Sequence, residues 1–240
     1  MTTTLRIDDR FCGPPGTGNG GYSAGRFAAS LLTPGREAGD AVEVTLRAPV
    51  PLGRDLTISG DDAVVSLYDD ERIVATARVV PFSLDLPRCV SYDLATQIVR
   101  EAPLRGFIDE HPFPGCFVCG PARAAGDGLR LFAARVPDTP YFAVPWTVAD
   151  VGAEFVWAAL DCPSSFPMYL AEDLFVGPCV LGRITARVDR VPADGERTVV
   201  MSWREGVDGR KLHTASALFD SDGVPCGSAR ATWIRVAAGS

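Results

Sequence analysis

The 240-residue chain has one lysine, Lys211, and two histidines, His111 and His213. It carries no basic block and no interleaving of basic with aromatic residues, and its net charge is -7. Nucleic-acid binding that draws on clustered Lys and Arg is therefore not expected. No uncharged apolar run approaches the roughly 18–20 residues of a membrane-spanning helix. The opening MTTTLRIDDRFCG has acids and an early glycine where a secretion signal needs a long apolar stretch. These absences predict a cytoplasmic protein with neither a nucleic acid nor a membrane as partner. Without a GxSxG motif, and with only two histidines, a Ser-His-acid nucleophile has no support. The cysteines (Cys12, Cys89, Cys116, Cys119, Cys162, Cys179 and Cys226) are odd in number, which fits reduced, mostly buried thiols better than a secreted disulfide framework. Apolar material is abundant, 47% against 22% charged. That is enough for a packed core and excludes a disordered or collagen-like chain.

The apolar residues are organised as a repeat. Leu67-Tyr68-Asp69-Asp70 precedes Ile73 to Val79; later, Leu218 to Gly223 precedes Gly227 to Trp233. Each block reads as strand, tight acidic turn, strand, with Asp69-Asp70 and Asp222-Gly223 as suitable turn residues. Extended runs lie upstream of each: Ala41 to Ala48 with Asp55 to Ser59, then Val180 to Val188 with Arg197 to Trp203. One helix opens each copy. Gly21 to Leu32 is rich in small residues and stops near Pro34-Gly35. Val151 to Leu160 is apolar on nearly every side, the mark of a helix buried on most of its surface. Between the copies, Ser91 to Glu101 predicts a further helix ended by Pro103, and Ala237 to Ser240 reads as a frayed tail.

Gly13 to Gly20 copies the glycines of a phosphate-binding loop but puts Asn19 where the lysine belongs and Gly20 where a hydroxyl must hold magnesium. An NTPase is excluded. Asn19-Gly20-Gly21-Tyr22 nonetheless stands at a helix start, where free N–H groups and the dipole favour negative charge. It serves equally as an oxyanion site or as close helix–sheet packing with Asn19 as N-cap. Asp161 is a lone acid at the C-terminal end of an apolar helix, where the dipole opposes it. That placement suggests a general base, with capping of the Cys162 to Ser165 turn as the plain alternative. Glu154, the competing acid, faces another side. Cys116-x-x-Cys119 with His111 upstream raises zinc. No second Cys pair exists, and Cys162, Cys179 and Cys226 stand apart in sequence, so a buried structural turn is expected and no metal. His213 reads as a strand residue.

Cys116-Phe117-x-Cys119-Gly120 leading to Gly128-Leu129-Arg130-Leu131 resembles the opening of hotdog-fold thioesterases of the phenylacetate-pathway type. Asn19-Gly20-Gly21-Tyr22 resembles the first-domain helix start of double-hotdog acyl-CoA thioesterases, and Asp161 the catalytic Asp of acyl-CoA thioesterase II relatives. The resemblance covers most of the chain outside 81–114. It implies an α+β protein of two tandem hotdog modules, each an antiparallel sheet wrapped around a central helix: residues 1–82, a linker at 83–114, and residues 115–240. It further implies hydrolysis of a small-molecule acyl thioester, with coenzyme A as part of the substrate and no separate cofactor. Asp161 would activate water, and the amides around Gly20 and Gly21 would hold the thioester oxygen. The counterpart of Asp161 in the first copy falls near Ser30, so one site per chain is expected. The family's water-holding Thr and Gln fall on Gly182 and Ala231, leaving Ser164, Ser165 or Asn19 as substitutes. A non-catalytic acyl-binding protein is the rival of another class. A hydratase needs an Asp/His pair, and no His stands near Asp161 in the sequence. A homodimer is allowed but not required, since a fused pair already supplies two copies.

Overall fold

The computed structural model describes residues 3–31, 40–61, 63–102, 108–169 and 177–236. The expected helix stops at Pro34-Gly35 and Pro103 and the expected tail at 237–240 lie outside the described residues. The first half contains β1 (Thr3–Arg6), α1 (Gly20–Ala28), β2 (Asp40–Leu46), β3 (Asp55–Gly60), β4 (Val64–Asp69) and β5 (Arg72–Pro81). After α2 (Tyr92–Glu101) come β6 (Ala134–Arg135), β7 (Phe142–Thr147), α3 (Ala153–Asp161), β8 (Cys179–Val188), β9 (Arg197–Asp208), β10 (Lys211–Phe219) and β11 (Pro225–Arg235).

The strands form one antiparallel sheet in the order β1-β3-β4-β5-β2-β8-β11-β10-β9-β7-β6. Read outward from the centre, the second half repeats the order of the first, and β6 extends its edge. This is the double hotdog, and the two module sheets are continuous through β2 and β8, where Val44 faces Ile184. Both predicted hairpins are present. Asp70 makes the first turn at φ 53, and Gly223 takes φ 78 in the second. There the Asp220 carboxylate accepts the N–H groups of Asp222 and Val224. The predicted linker helix is α2, capped by Ser91, whose hydroxyl accepts the Leu94 N–H at 3.2 Å. Its Ala95 and Ile98 are buried in a cluster with Val199 and Phe219, on the second half of the sheet.

The two central helices pack antiparallel, because early α1 meets late α3 and the reverse. A side-chain carbon on Gly21 would lie 2.7 Å from the Trp157 carbonyl, and one on Gly25 would lie 2.8 Å from Glu154 Cα. Only glycine permits this approach at both positions. Phe155 through Asp161 are all buried, as the all-round apolar pattern of α3 predicts.

Ile184 is fully buried on the joining strand, paired with Val44 on one side and Ala231 on the other. Ile184→Ala removes buried methyl groups from the seam and is expected to cost about 2–5 kcal/mol. In urea unfolding the midpoint should fall with the slope unchanged, and both halves should be lost in one transition. A biphasic curve would show that the halves do not share a core.

Candidate active site

A carboxylate at the C-terminal end of its own helix opposes that helix's dipole, and Asp161 is the last residue of α3. The antiparallel packing resolves the conflict. The same carboxylate stands at the N-terminal end of α1, where Gly21 N–H donates to Oδ2 at 2.8 Å. Asn19, the only asparagine in the chain, is bonded through both ends of its amide. Its Oδ1 caps α1 by accepting the Tyr22 N–H at 2.9 Å, and its Nδ2 donates to Asp161 Oδ2 at 3.3 Å. Asp161 is 1% exposed, and its Oδ1 has no hydrogen-bond partner among the described residues. Burial pushes the carboxyl up to about 7, against the Gly21 N–H, which favours the charged form; the Cys116 sulfur adds to the rise. A hydrogen bond to a charged group contributes about 1.5–3 kcal/mol, and here desolvation outweighs it.

Asp161 lies on the wall of a cavity of about 750 Å3 between the α1 start, the 47–50 loop, the Cys116–Cys119 turn and the ends of β8 and β11. Asn19 and Gly20 share that wall, with Leu46 and Leu181 beside Gly20. Gly20 N–H, one of the first donors of the helix, takes no protein acceptor among the described residues. The preceding glycine-rich loop is closed on itself and its neighbours. Gly13 N–H donates to Thr17 O, Gly18 N–H to Val50 O and Asn19 N–H to Phe11 O. Those amides are not a phosphate cradle, consistent with the missing Lys and hydroxyl.

The four-residue oxyanion expectation narrows to Gly20, with Asn19 as its supporting cap. Gly21 N–H is bound to Asp161, so it is not available to a substrate oxygen. Tyr22 is a core residue: its ring stacks on Phe11 at 3.9 Å, with Phe117 and Phe155 around it. Its backbone N–H is held by the Asn19 cap. The serines also divide. Ser164 Oγ donates to Asp161 O at 2.7 Å and accepts Trp233 Nε1–H at 3.0 Å, which makes it a turn brace away from the cavity wall. Ser165 is on the wall and donates to Cys162 O, leaving its oxygen as an acceptor. Gly182 lies on the wall and Ala231 is buried in β11, and neither side chain offers a polar atom. Glu154, expected to face another side, stands seven residues or two turns before Asp161 and so on the same face of α3, its Cα against Gly25 at the far end. Near the end of α1, Ser30, the first copy's counterpart of Asp161, donates to Phe27 O, so that position carries no acid.

Two sequence expectations are overturned. Cys162 is not isolated. Cys116 and Cys162 have sulfurs 3.7 Å apart, and those of Cys116, Cys119 and Cys162 all lie within 4.8 Å of one another. Distance along the chain hid this, and the only signal was the adjacency of Cys162 to Asp161. None of the three is in a disulfide. Cys116 is the thiol held low, first by the Cys119 side chain donating to it, then by that of Cys162, and also by the backbone N–H groups of Cys119 and Val118. Burial opposes them. The second correction concerns His111, which is remote from Asp161 in sequence yet lines the same cavity. Its Nδ1 accepts the Phe113 N–H at 3.0 Å, and burial holds its pKa below the usual value.

No protein-family model and no curated protein sequence matches the chain. Solved structures do match. The tesB protein of Mycobacterium avium subsp. paratuberculosis superposes with a TM-score of 0.63 at 12% identity, over 98% of this chain and 93% of that one. The acyl-CoA thioesterase II TesB2 of Mycobacterium marinum gives 0.56 at 8%, over 99% and 94%. GphF dehydratase 1 gives 0.56 at 19%, over 98% and 93%. At such identities the likeness is one of fold. The chain is an α+β double-hotdog protein, similar in architecture to thioesterases II and to a dehydratase. Among the described residues no helix is long and apolar enough to cross a membrane.

Proposed function

We propose that this protein hydrolyses acyl thioesters, with acyl-CoA as the substrate class, by water attack assisted by Asp161. The observation that supports this reading is the buried Asp161 carboxylate, with Oδ1 unpartnered among the described residues, in the wall of a cavity whose lining also includes Gly20, a residue with no acceptor for its N–H among the described residues. A water against Oδ1 gives up a proton to it as the water oxygen adds to the thioester carbonyl. The carbonyl oxygen gains charge and is stabilised by Gly20 N–H at the positive end of α1. On collapse the carbon–sulfur bond breaks with its electron pair on sulfur. The proton held by Asp161 passes to that sulfur, leaving a carboxylic acid and a free thiol. The acyl chain packs against Leu46, Val50 and Leu181 on the cavity wall. Arg47, exposed on the same wall, offers a cation to the diphosphate of coenzyme A.

Release of free thiol from a series of acyl-CoA chain lengths tests the reading. Saturable turnover is expected, with a preference for acyl chains that the cavity can hold. Saturable binding without thiol release overturns the hydrolase and makes the protein an acyl-CoA binder. A second reading, reversible hydration of an unsaturated acyl thioester, is favoured by one observation: His111 and Asp161 line one cavity. Consumption of an enoyl-CoA with its thioester intact is the result that selects it.

A further inference from the structure

We infer that Cys116, Cys119 and Cys162 form a site for one divalent metal ion of the zinc class, completed by a single nitrogen or oxygen ligand on the cavity side. The inference does not rest on the hydrolase reading, and metal uptake is measured without turnover. A tetrahedral centre with metal–sulfur bonds of about 2.3 Å sets sulfur–sulfur edges of about 3.8 Å. The Cys116–Cys162 separation is 3.7 Å, and no pair among the three exceeds 4.8 Å. The triangle is therefore near the size a zinc ion needs before any ion draws it in.

The surroundings are those of a ligand set more than of three apolar thiols. Gly120 N–H donates to Cys116 O at 2.8 Å, closing the Cys-x-x-Cys-Gly turn tightly. A side-chain carbon on Gly120 would lie 2.5 Å from Cys116 N and 2.6 Å from Pro114 O, so the turn admits glycine alone. Asn19 Nδ2 approaches Cys116 Sγ at 3.7 Å and Cys162 Sγ at 3.5 Å. Donors aimed at sulfur orient and support metal-bound thiolates. All three cysteines lie on the cavity wall, which gives an ion a route in and leaves the fourth position facing the cavity. A soft sulfur set selects zinc and its chemical neighbours over magnesium or calcium. A bound ion would tie the end of α3 to the 116–119 turn, one residue from Asp161.

The full chain, reduced and stripped with a chelator, is titrated with Co2+ and then with Zn2+. One equivalent of Co2+ is expected to give a sulfur-to-metal charge-transfer band and the intense d–d bands of tetrahedral coordination, both displaced by Zn2+. Cys162→Ser is expected to abolish the bands, and Cys89→Ser, outside the cluster, to keep them. Asn19→Ala should weaken uptake about 10–100-fold, as loss of a supporting donor does. Absence of the bands in the wild type, or their survival in Cys162→Ser, overturns the inference. If Cys162→Ser does not fold, X-ray absorption of the zinc-loaded wild type decides. Three sulfurs at about 2.3 Å and one lighter atom are expected, and a shell with fewer than three sulfurs overturns the site.

Discussion

With Asp161→Asn, thiol release is expected to fall about 10²–10⁴-fold, the range for loss of a general base, while KM changes little. The side chains have nearly the same shape, and the amide oxygen can still accept the Gly21 N–H that now reaches Oδ2. The group lost is the carboxylate oxygen without a partner among the described residues, replaced by an NH2 that cannot take a proton from water. The effect therefore belongs to kcat, and a thermal melt close to wild type shows that the fold is intact. Asp161→Ala is the less informative variant, because it leaves the buried Gly21 N–H and Asn19 Nδ2 without their acceptor, at a cost of about 1–3 kcal/mol per orphaned group. Steady-state kinetics over an acyl-CoA series reads the result. Undiminished turnover in Asp161→Asn would move the chemistry to another group.

The repeat was legible because a hairpin writes itself into local sequence. Period-two runs flanking Asp69-Asp70 and Asp222-Gly223 need no knowledge of distant residues, and they became β4–β5 and β10–β11. Strand β7 was not legible, because Pro145 stands inside it. Among the described residues β6 pairs only with Phe142 and Ala143, so from Val144 onward β7 pairs with β9 alone, the edge setting in which a strand accepts proline.

The site was half legible for a related reason. Asp161 was conspicuous as an acid at the wrong end of its own helix, and Asn19-Gly20-Gly21 as donors at the right end of another. Each oddity is the solution to the other, but only the antiparallel crossing of α1 and α3 brings them to 2.8 Å. Tyr22 misleads for the opposite reason. A residue next to functional amides on a helix points its side chain away from them, here into the Phe11 and Phe117 rings. Cys162 carried only its adjacency to Asp161 and His111 only its place upstream of Cys116, since what each faces is decided by the fold.

Gly21→Ala tests that crossing directly. A carbon added at position 21 would lie 2.3 Å from Asp161 Cβ, 2.7 Å from the Trp157 carbonyl and 3.0 Å from Asp161 Cγ. A backbone carbonyl and the first carbon of a side chain cannot rotate out of the way, so the helices must part. Helix propensity works in the opposite direction, favouring alanine over glycine by about 1 kcal/mol. Overpacking costs about 1–3 kcal/mol and sometimes more, and contacts this short lie at the severe end. A net loss of about 2 kcal/mol is expected, which lowers the melting temperature of a chain this size by about 4–8 °C. Separation also withdraws Gly21 N–H from Asp161 and shifts Gly20, so activity should fall beyond what the lost stability explains. Gly25→Ala is the matched comparison. It clashes with Glu154 Cα and Trp157 Cβ at 2.8 Å, but at the crossing end that carries no cavity residue, so it should destabilise the fold while sparing turnover at low temperature. Equal activity losses in the two variants would mean that the crossing acts on the site only through global stability, and a wild-type melting temperature for Gly21→Ala would refute the close approach itself.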